Sequence, residues 1–274
     1  MSRLRLGTRG SALALAQARA VAALLPEPVE IVTITTAGDV DRARGDKSRW
    51  VGALEAALVA HEIDLAVHSA KDVPGELADG TAIAATPRRG EPFDVLVGDL
   101  REGARVGTSA LRRRAQLLAA RPDLDVVELR GNVDTRLAKR VAGEVDALVL
   151  AAAGLDRLNR RGEAGSLLVD GVFVPAAGQG VIAIQARIGT SFPSADHTPT
   201  HAALDAERAV VRALGASCHT PVGVLAVGGR VRGFVGLPDG SEYLVEEAAS
   251  ADELARRLLD RGAAELLRMA EVSA

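Results

Sequence analysis

Two periods alternate along this chain. Short apolar runs bounded by charge or glycine read as strands, and longer stretches with apolar residues three and four apart read as helices. Residues 4–7 form the first such strand. Thr8-Arg9-Gly10-Ser11 follows, then an Ala/Leu-rich helix to about residue 25 with Ser11 as its N-cap. Pro26 and Pro28 end that helix, and 29–34 alternates as a second strand. A charged, glycine-containing segment over 37–49 has the character of a disordered bulge or an active-site lid. A helix over about 50–61 then leads to the apolar strand 63–67. That strand ends in His68-Ser69-Ala70-Lys71-Asp72-Val73, where Pro74 forces a turn. His, Ser, Lys and Asp thus gather at one strand end, the place where open α/β sheets bind ligands.

A second series of strand–helix units follows. Residues 104–106 lead into Gly107-Thr108-Ser109 and a helix from about 110. Residues 126–129 lead into Arg130-Gly131-Asn132 and a helix from about 133, and 147–151 is a wholly apolar strand. The breaker-rich stretch 86–92 and the turn Pro175-Ala176-Ala177-Gly178-Gln179-Gly180 read as two domain crossings, the second returning the chain to the first domain as a strand over 181–184. A linker over 189–200 precedes a helix over 202–214. Strands 222–227 and 230–236 flank the hairpin signal Gly228-Gly229, a further strand covers 242–245, and one amphipathic helix spans about 252–269. The pattern predicts an α/β chain of three domains: 1–87 with 178–197, then 88–177, then a small α+β domain over 198–274. No internal sequence repeat is evident.

Composition narrows the function. Of 274 residues 48% are hydrophobic but only 2% aromatic, so the core is aliphatic. The net charge of −3 gives no global basic field, and the scarcity of aromatics argues against a stacking platform for single strands; no nucleic-acid partner is expected. One cysteine excludes an internal disulfide framework. The first residues lack a signal-peptide pattern and no apolar run reaches the roughly 18 residues of a membrane span, so a soluble, cytoplasmic protein with no membrane partner is expected.

Positive charge is local instead. Arg9, the run Arg112-Arg113-Arg114, and Arg130 with Arg136 all sit at strand-to-helix junctions. A helix N-terminus disfavours cations by about 0.3–1 kcal/mol each, and the same ends bind anions through their free N–H groups. Three repeats of this arrangement point to a ligand with several carboxylates or phosphates. Arg114 is the exception and reads as a solvated residue, because three successive helix positions cannot share a face. No phosphate-binding GxxxxGK[ST] loop is present. Cys218 lies between helix breakers in Gly215-Ala216-Ser217-Cys218-His219-Thr220-Pro221. A lone cysteine is most often an inert packed residue, whereas the loop and the neighbouring His219 favour a reactive thiol.

Thr8-Arg9-Gly10-Ser11, His68 to Pro74, Gly107 to Arg113, Leu129-Arg130-Gly131-Asn132-Val133-Asp134-Thr135-Arg136-Leu137, Ala153-Gly154-Leu155 and Pro175 to Gly180 occur here in one order. With these motifs, nearly the whole chain resembles the porphobilinogen deaminase (hydroxymethylbilane synthase) family. The resemblance implies two periplasmic-binding-protein-like domains around a cleft plus the small C-terminal domain, acting as a monomer. It implies a transferase that deaminates four porphobilinogens and joins them head to tail on a dipyrromethane held by thioether at Cys218. Asp72 is then the catalytic carboxylate, supported by Lys71. Thr108, Ser109, Arg112, Arg113, Arg130, Gly131, Asn132 and Arg136, with Lys71 and Asp72, hold the cofactor. Arg9, Ser11, Ser69, Gln179 and, from the lid, Lys47 with Asp39 meet the substrate. Gly52 replaces a second lysine, Phe93 and Glu163 stand where arginine is usual (Arg160 or Arg161 could substitute for the latter), and His219 replaces a glutamine. A different class of protein, a non-catalytic cytoplasmic sensor of a polycarboxylate on the same scaffold, would have no need of a covalent cofactor at Cys218.

Overall fold

A computed structural model describes residues 3–37, 48–216 and 220–272. The chain divides into two compact units, Met1–Gly90 with Gly178–Leu204, and Glu91–Ala177 with Asp205–Ala274.

In the first unit, β1 (Leu4–Thr8) leads into α1 (Ala12–Ala22), which starts where expected: Ser11 Oγ accepts from the Ala14 N–H at 3.2 Å. The helix stops three residues before the apolar pattern does. β2 (Val29–Thr33) and α2 (Ser48–Val59) follow, and His61 closes α2 in a left-handed conformation with φ of 57°. β3 (Leu65–Ser69) lies two residues later than the apolar run suggested, so His68 and Ser69 belong to the strand itself, and one turn of 3₁₀ helix (Ala70–Asp72) carries Lys71 and Asp72. β4 (Thr81–Ala85) completes this part.

The second unit opens with β5 (Asp94–Gly98), a strand the sequence reading passed over because Pro92 and a leading aspartate masked it. β6 (Arg105–Gly107), α3 (Leu111–Ala120), β7 (Asp125–Val127), α4 (Val133–Val141), β8 (Ala147–Ala151), the short α5 (Ala152–Arg157) and β9 (Leu167–Leu168) follow. The chain returns to the first unit as β10 (Ile182–Arg187), and α6 (Thr198–Ala213) begins inside the segment expected to be a linker. β11 (Val222–Val227), β12 (Arg230–Gly236) and β13 (Tyr243–Ala248) form an antiparallel sheet as the hairpin signal required. The single terminal helix expected is two, α7 (Ala251–Asp260) and α8 (Ala263–Val272), broken at Gly262.

The α/β class and the smaller C-terminal part of strands and helices are thus present, and the two large sheets share one design. Their strand orders are β2-β1-β3-β10-β4 and β7-β6-β8-β5-β9. In each, four strands run in one direction, and the strand fourth in the order is antiparallel to both its neighbours. The antiparallel strand is in both cases the first one after the chain enters that unit. This duplication is topological; no sequence repeat betrays it.

Apolar layers cover both faces of the first sheet. Leu65 and Val67 of β3 pack with Ala18 and Val21 of α1, whereas Ala66 between them packs with Leu54 and Leu58 of α2. In the second unit, Ala115, Val174, Leu225 and Phe234 form one buried cluster that includes the C-terminal sheet. Gly223 of β11 makes this contact possible: a Cβ there would lie 2.4 Å from the Val174 carbonyl oxygen, and the Val224 N–H donates to the Pro175 oxygen at 2.8 Å. Gly223→Ala is expected to lower stability by about 1–3 kcal/mol through overpacking against rigid backbone, read as a lower urea midpoint. An unchanged midpoint would contradict this packing.

Candidate active site

The strand period sets the site in the first unit. Because side chains alternate across a sheet, Ser69 continues the α1 face of Leu65 and Val67, and His68 continues the α2 face of Ala66. Ser69 accordingly meets Gln17 of α1, Nε2 to Oγ at 2.9 Å. His68 instead joins a buried chain in which its Nε2 lies 3.0 Å from Gln185 Oε1 and Gln185 Nε2 donates to Glu55 Oε1 at 2.8 Å. Burial pulls the His68 pKa down from 6.5 to about 4, against the opposing Gln185 hydrogen bond. His68 is therefore neutral at neutral pH.

Arg9, Ser11, Ser69 and Asp72, four residues singled out from sequence, line one pocket with Gln17, Trp50 and His68. The Arg9 guanidinium carbon stands 4.1 Å from the Trp50 ring centroid, a cation–π contact. Lys71 turns to Gln179, Nζ to Oε1 at 3.3 Å, and Gln179 is fully buried. Its backbone oxygen accepts from Arg89 Nε at 2.8 Å. Gly178 permits this approach. Its φ is +73°, and a Cβ would lie 3.0 Å from the Ala70 carbonyl carbon and the Lys71 nitrogen.

In the second unit, the predicted residues sit at the carboxyl ends of β6 and β7. Arg112 and Arg113, expected to await a ligand, share the buried carboxylate of Asp94: Arg112 Nη1 to Oδ2 at 2.8 Å and Arg113 Nη2 to Oδ1 at 2.7 Å. Arg112 also donates to Gln116 and the Val174 oxygen, and Arg113 to the Val149 oxygen. Burial pushes the Asp94 carboxyl up, yet the two guanidiniums outweigh it and hold it well below the usual carboxylate range. Two cations on one anion leave the cluster with an excess positive charge, and removing the carboxylate from such a buried set costs about 3–5 kcal/mol.

Thr108 is buried, with Oγ1 accepting from the Ala110 N–H at 3.2 Å, while Arg136 Nη2 reaches the exposed Ser109 hydroxyl at 3.0 Å. Asn132 caps α4, its Oδ1 accepting from the Thr135 N–H at 2.8 Å. The preceding Gly131 has a positive φ. Arg130 pairs with exposed Glu128 at 2.7 Å. Arg114, read as solvated, is half-buried and bonds the Val126 oxygen. Of the departures, Glu163 bonds Arg160, Arg161 pairs with Asp156, Phe93 packs beside Val174 and Phe234, and Gly52 has open space where a side chain would start. Asp39, Lys47, Cys218 and His219 lie outside the described residues. Among the described residues no cluster of His, Cys, Asp or Glu could hold a metal ion.

Sequence reasoning missed Gln17, Trp50 and Asp94. Gln17 had a signal, an amide inside an Ala/Leu helix, and Trp50 is the only tryptophan. Asp94 had none, since nothing local links it to arginines 18 and 19 positions later.

Residues 4–192 match the family model described as porphobilinogen deaminase, dipyromethane cofactor binding domain, and residues 202–267 match porphobilinogen deaminase, C-terminal domain. Porphobilinogen deaminases of Rubrobacter xylanophilus (46% identical, covering 97% of this chain and 96% of theirs), Thermus thermophilus (44%, 95% and 97%) and Deinococcus radiodurans (42%, 97% and 98%) are similar over nearly the full length. Among solved structures, a probable amino-acid ABC transporter extracellular-binding protein from Bacillus subtilis is similar at TM-score 0.42 and 11% identity, covering 74% of this chain and 91% of that one. No described helix is long and apolar enough to cross a membrane.

His68 also sets a pH dependence. Its folded pKa lies below its unfolded one, so between about pH 6.5 and 4 the unfolded chain binds the extra proton and stability falls as pH falls. His68→Gln is expected to flatten the slope of unfolding free energy against pH in that window, whose full extent is roughly 3 kcal/mol. An unchanged slope in urea titrations would contradict the buried neutral imidazole.

Proposed function

The chain belongs to the porphobilinogen deaminase family, and from that premise we propose that Asp72 is the group that moves protons in its active site. The activity is that of a transferase of tetrapyrrole synthesis: four porphobilinogens lose ammonia and are joined head to tail, and hydroxymethylbilane is released. The protein is an enzyme with a dipyrromethane cofactor, which when bound supplies the primer for the growing chain. These matches do not favour a non-catalytic sensor.

The observation that carries the assignment of Asp72 is its pocket, in which the carboxylate shares a wall with Arg9, Ser11 and Ser69. A porphobilinogen ring brings an ammonium and two carboxylates to such a place. The Asp72 carboxylate takes a proton from the ammonium and hands it back to the departing amine as the C–N electron pair leaves with the nitrogen as ammonia, so the carboxylate then faces the positive pyrrole that remains. The new C–C bond displaces a ring proton, which passes to the Asp72 carboxylate and on to solvent. Arg9, with Ser11 and Ser69, holds the substrate carboxylates, and Lys47 joins them from the lid. Lys71, hydrogen-bonded to Gln179, supports Asp72 from the neighbouring position, and Gln179 sets the place of the lysine.

The cofactor carboxylates suit the second unit's donors. The excess positive charge of Arg112 and Arg113 over Asp94, and Ser109 joined to Arg136, are a donor set for acetate and propionate groups. Arg130, Gly131, Asn132 and Thr108 complete that set, and Cys218 is the attachment sulfur. We divide these roles among three domains, 1–87 with 178–197, 88–177, and 198–274, in a cytoplasmic monomer that takes neither nucleic acid nor membrane as partner.

Asp72→Asn is expected to leave the fold and the attached cofactor intact while deamination falls at least a hundredfold, measured as ammonia release. Turnover within a few-fold of the parent would refute the role of Asp72.

A further inference from the structure

His68 lines the Asp72 pocket. The hydrogen bonds behind it determine where its proton is. Thr81 Oγ1 spends its one hydrogen on the Ala78 oxygen at 2.7 Å, so toward Gln185 Nε2, 2.9 Å away, it can only accept. Glu55 Oε1 accepts from the Ala78 N–H at 3.1 Å and from the same Gln185 nitrogen at 2.8 Å. Turning the Gln185 amide over would set its oxygen against a carboxylate and a spent hydroxyl. Its oxygen must therefore face His68 Nε2, and the hydrogen in that 3.0 Å contact belongs to the imidazole. The neutral ring has one N–H, and this bond uses it. Nδ1 remains a lone pair, with no hydrogen-bond partner among the described residues.

We propose that His68 accepts, through Nδ1, a hydrogen bond from an N–H of the substrate bound beside Asp72, and that Gln185 and Glu55 are positioning residues that hold the ring in this tautomer. The proposal rests on the reading of the Asp72 pocket as the substrate site. Its chemical sense lies in the charge of the substrate. A donor imidazolium would repel both the ammonium and the positive pyrrole, whereas a neutral acceptor orients the ring without adding charge. The charged groups acting on His68 are Glu55 and Asp72, which favour its protonation, and Arg9, which opposes it; burial outweighs them all.

The test uses the Asp72→Asn holoenzyme, labelled with ¹⁵N at histidine, so that porphobilinogen binds without turnover. Long-range ¹H–¹⁵N spectra should show His68 as the neutral Nε2–H tautomer from pH 8 to 5. Saturating porphobilinogen should move the Nδ1 resonance and leave Nε2 in place. An Nδ1–H tautomer, an imidazolium at neutral pH, or an Nδ1 resonance indifferent to porphobilinogen overturns the proposal. In the otherwise unaltered enzyme, Gln185→Glu sets a second carboxylate beside Glu55 and should drive His68 toward imidazolium. It should lower kcat/KM about tenfold, the worth of one hydrogen bond, and move the acid limb of the pH profile upward. A parental profile in a folded variant also counts against the proposal, and if that variant does not fold the spectra alone decide. Near-normal turnover by Asp72→Asn would instead remove the reading of the pocket, whereas lost turnover with a silent Nδ1 removes only the part given to His68.

Discussion

Neighbouring side chains of β3 must leave on opposite faces of its sheet, and this alternation decides what each site residue can reach. Ser69 meets α1, where Gln17 holds its hydroxyl; His68 meets the Gln185–Glu55 chain on the α2 side. Asp72 escapes the alternation because the strand has by then become a turn of 3₁₀ helix. A turn thus presents the Asp72 carboxylate, just beyond strand residues fixed on opposite faces of the sheet. The turn is itself supported by the close approach of Gly178, which also brings Gln179 to Lys71.

The second unit applies a different constraint, that buried charge must be matched. Asp94 answers two guanidiniums with one carboxylate, so the cluster is rigid and still positive. Arginines held this way are pre-organised for anions, since little side-chain freedom remains to be lost when one binds. Arg130 meets a surface glutamate and Arg136 a serine hydroxyl.

Much of this was legible in the residue order, and the gaps have physical causes. Strands 147–151, 222–227 and 230–236 are legible to the residue: Asp146 opens the first, and Pro221 and Gly228-Gly229 bound the other two. β3 was placed two residues early, since polar His68 and Ser69 read as a strand's end and not as a strand with polar partners behind it. The arginines were found through their conflict with the helix dipole, but Asp94 pairs with them across the fold and left no local trace. Gly262 splits the last helix because a glycine weakens an otherwise continuous amphipathic pattern that the periodicity alone had joined. The shared order of the two sheets is a property of topology and has no counterpart in the sequence.

A covalently held primer serving a carboxylate pocket is tested most directly by intact-mass spectrometry of the protein made in a cell competent for tetrapyrrole synthesis. The expected mass is raised by one dipyrromethane, and Cys218→Ser is expected to lose that increment. An unmodified parent chain, or an increment that survives the substitution, would contradict it.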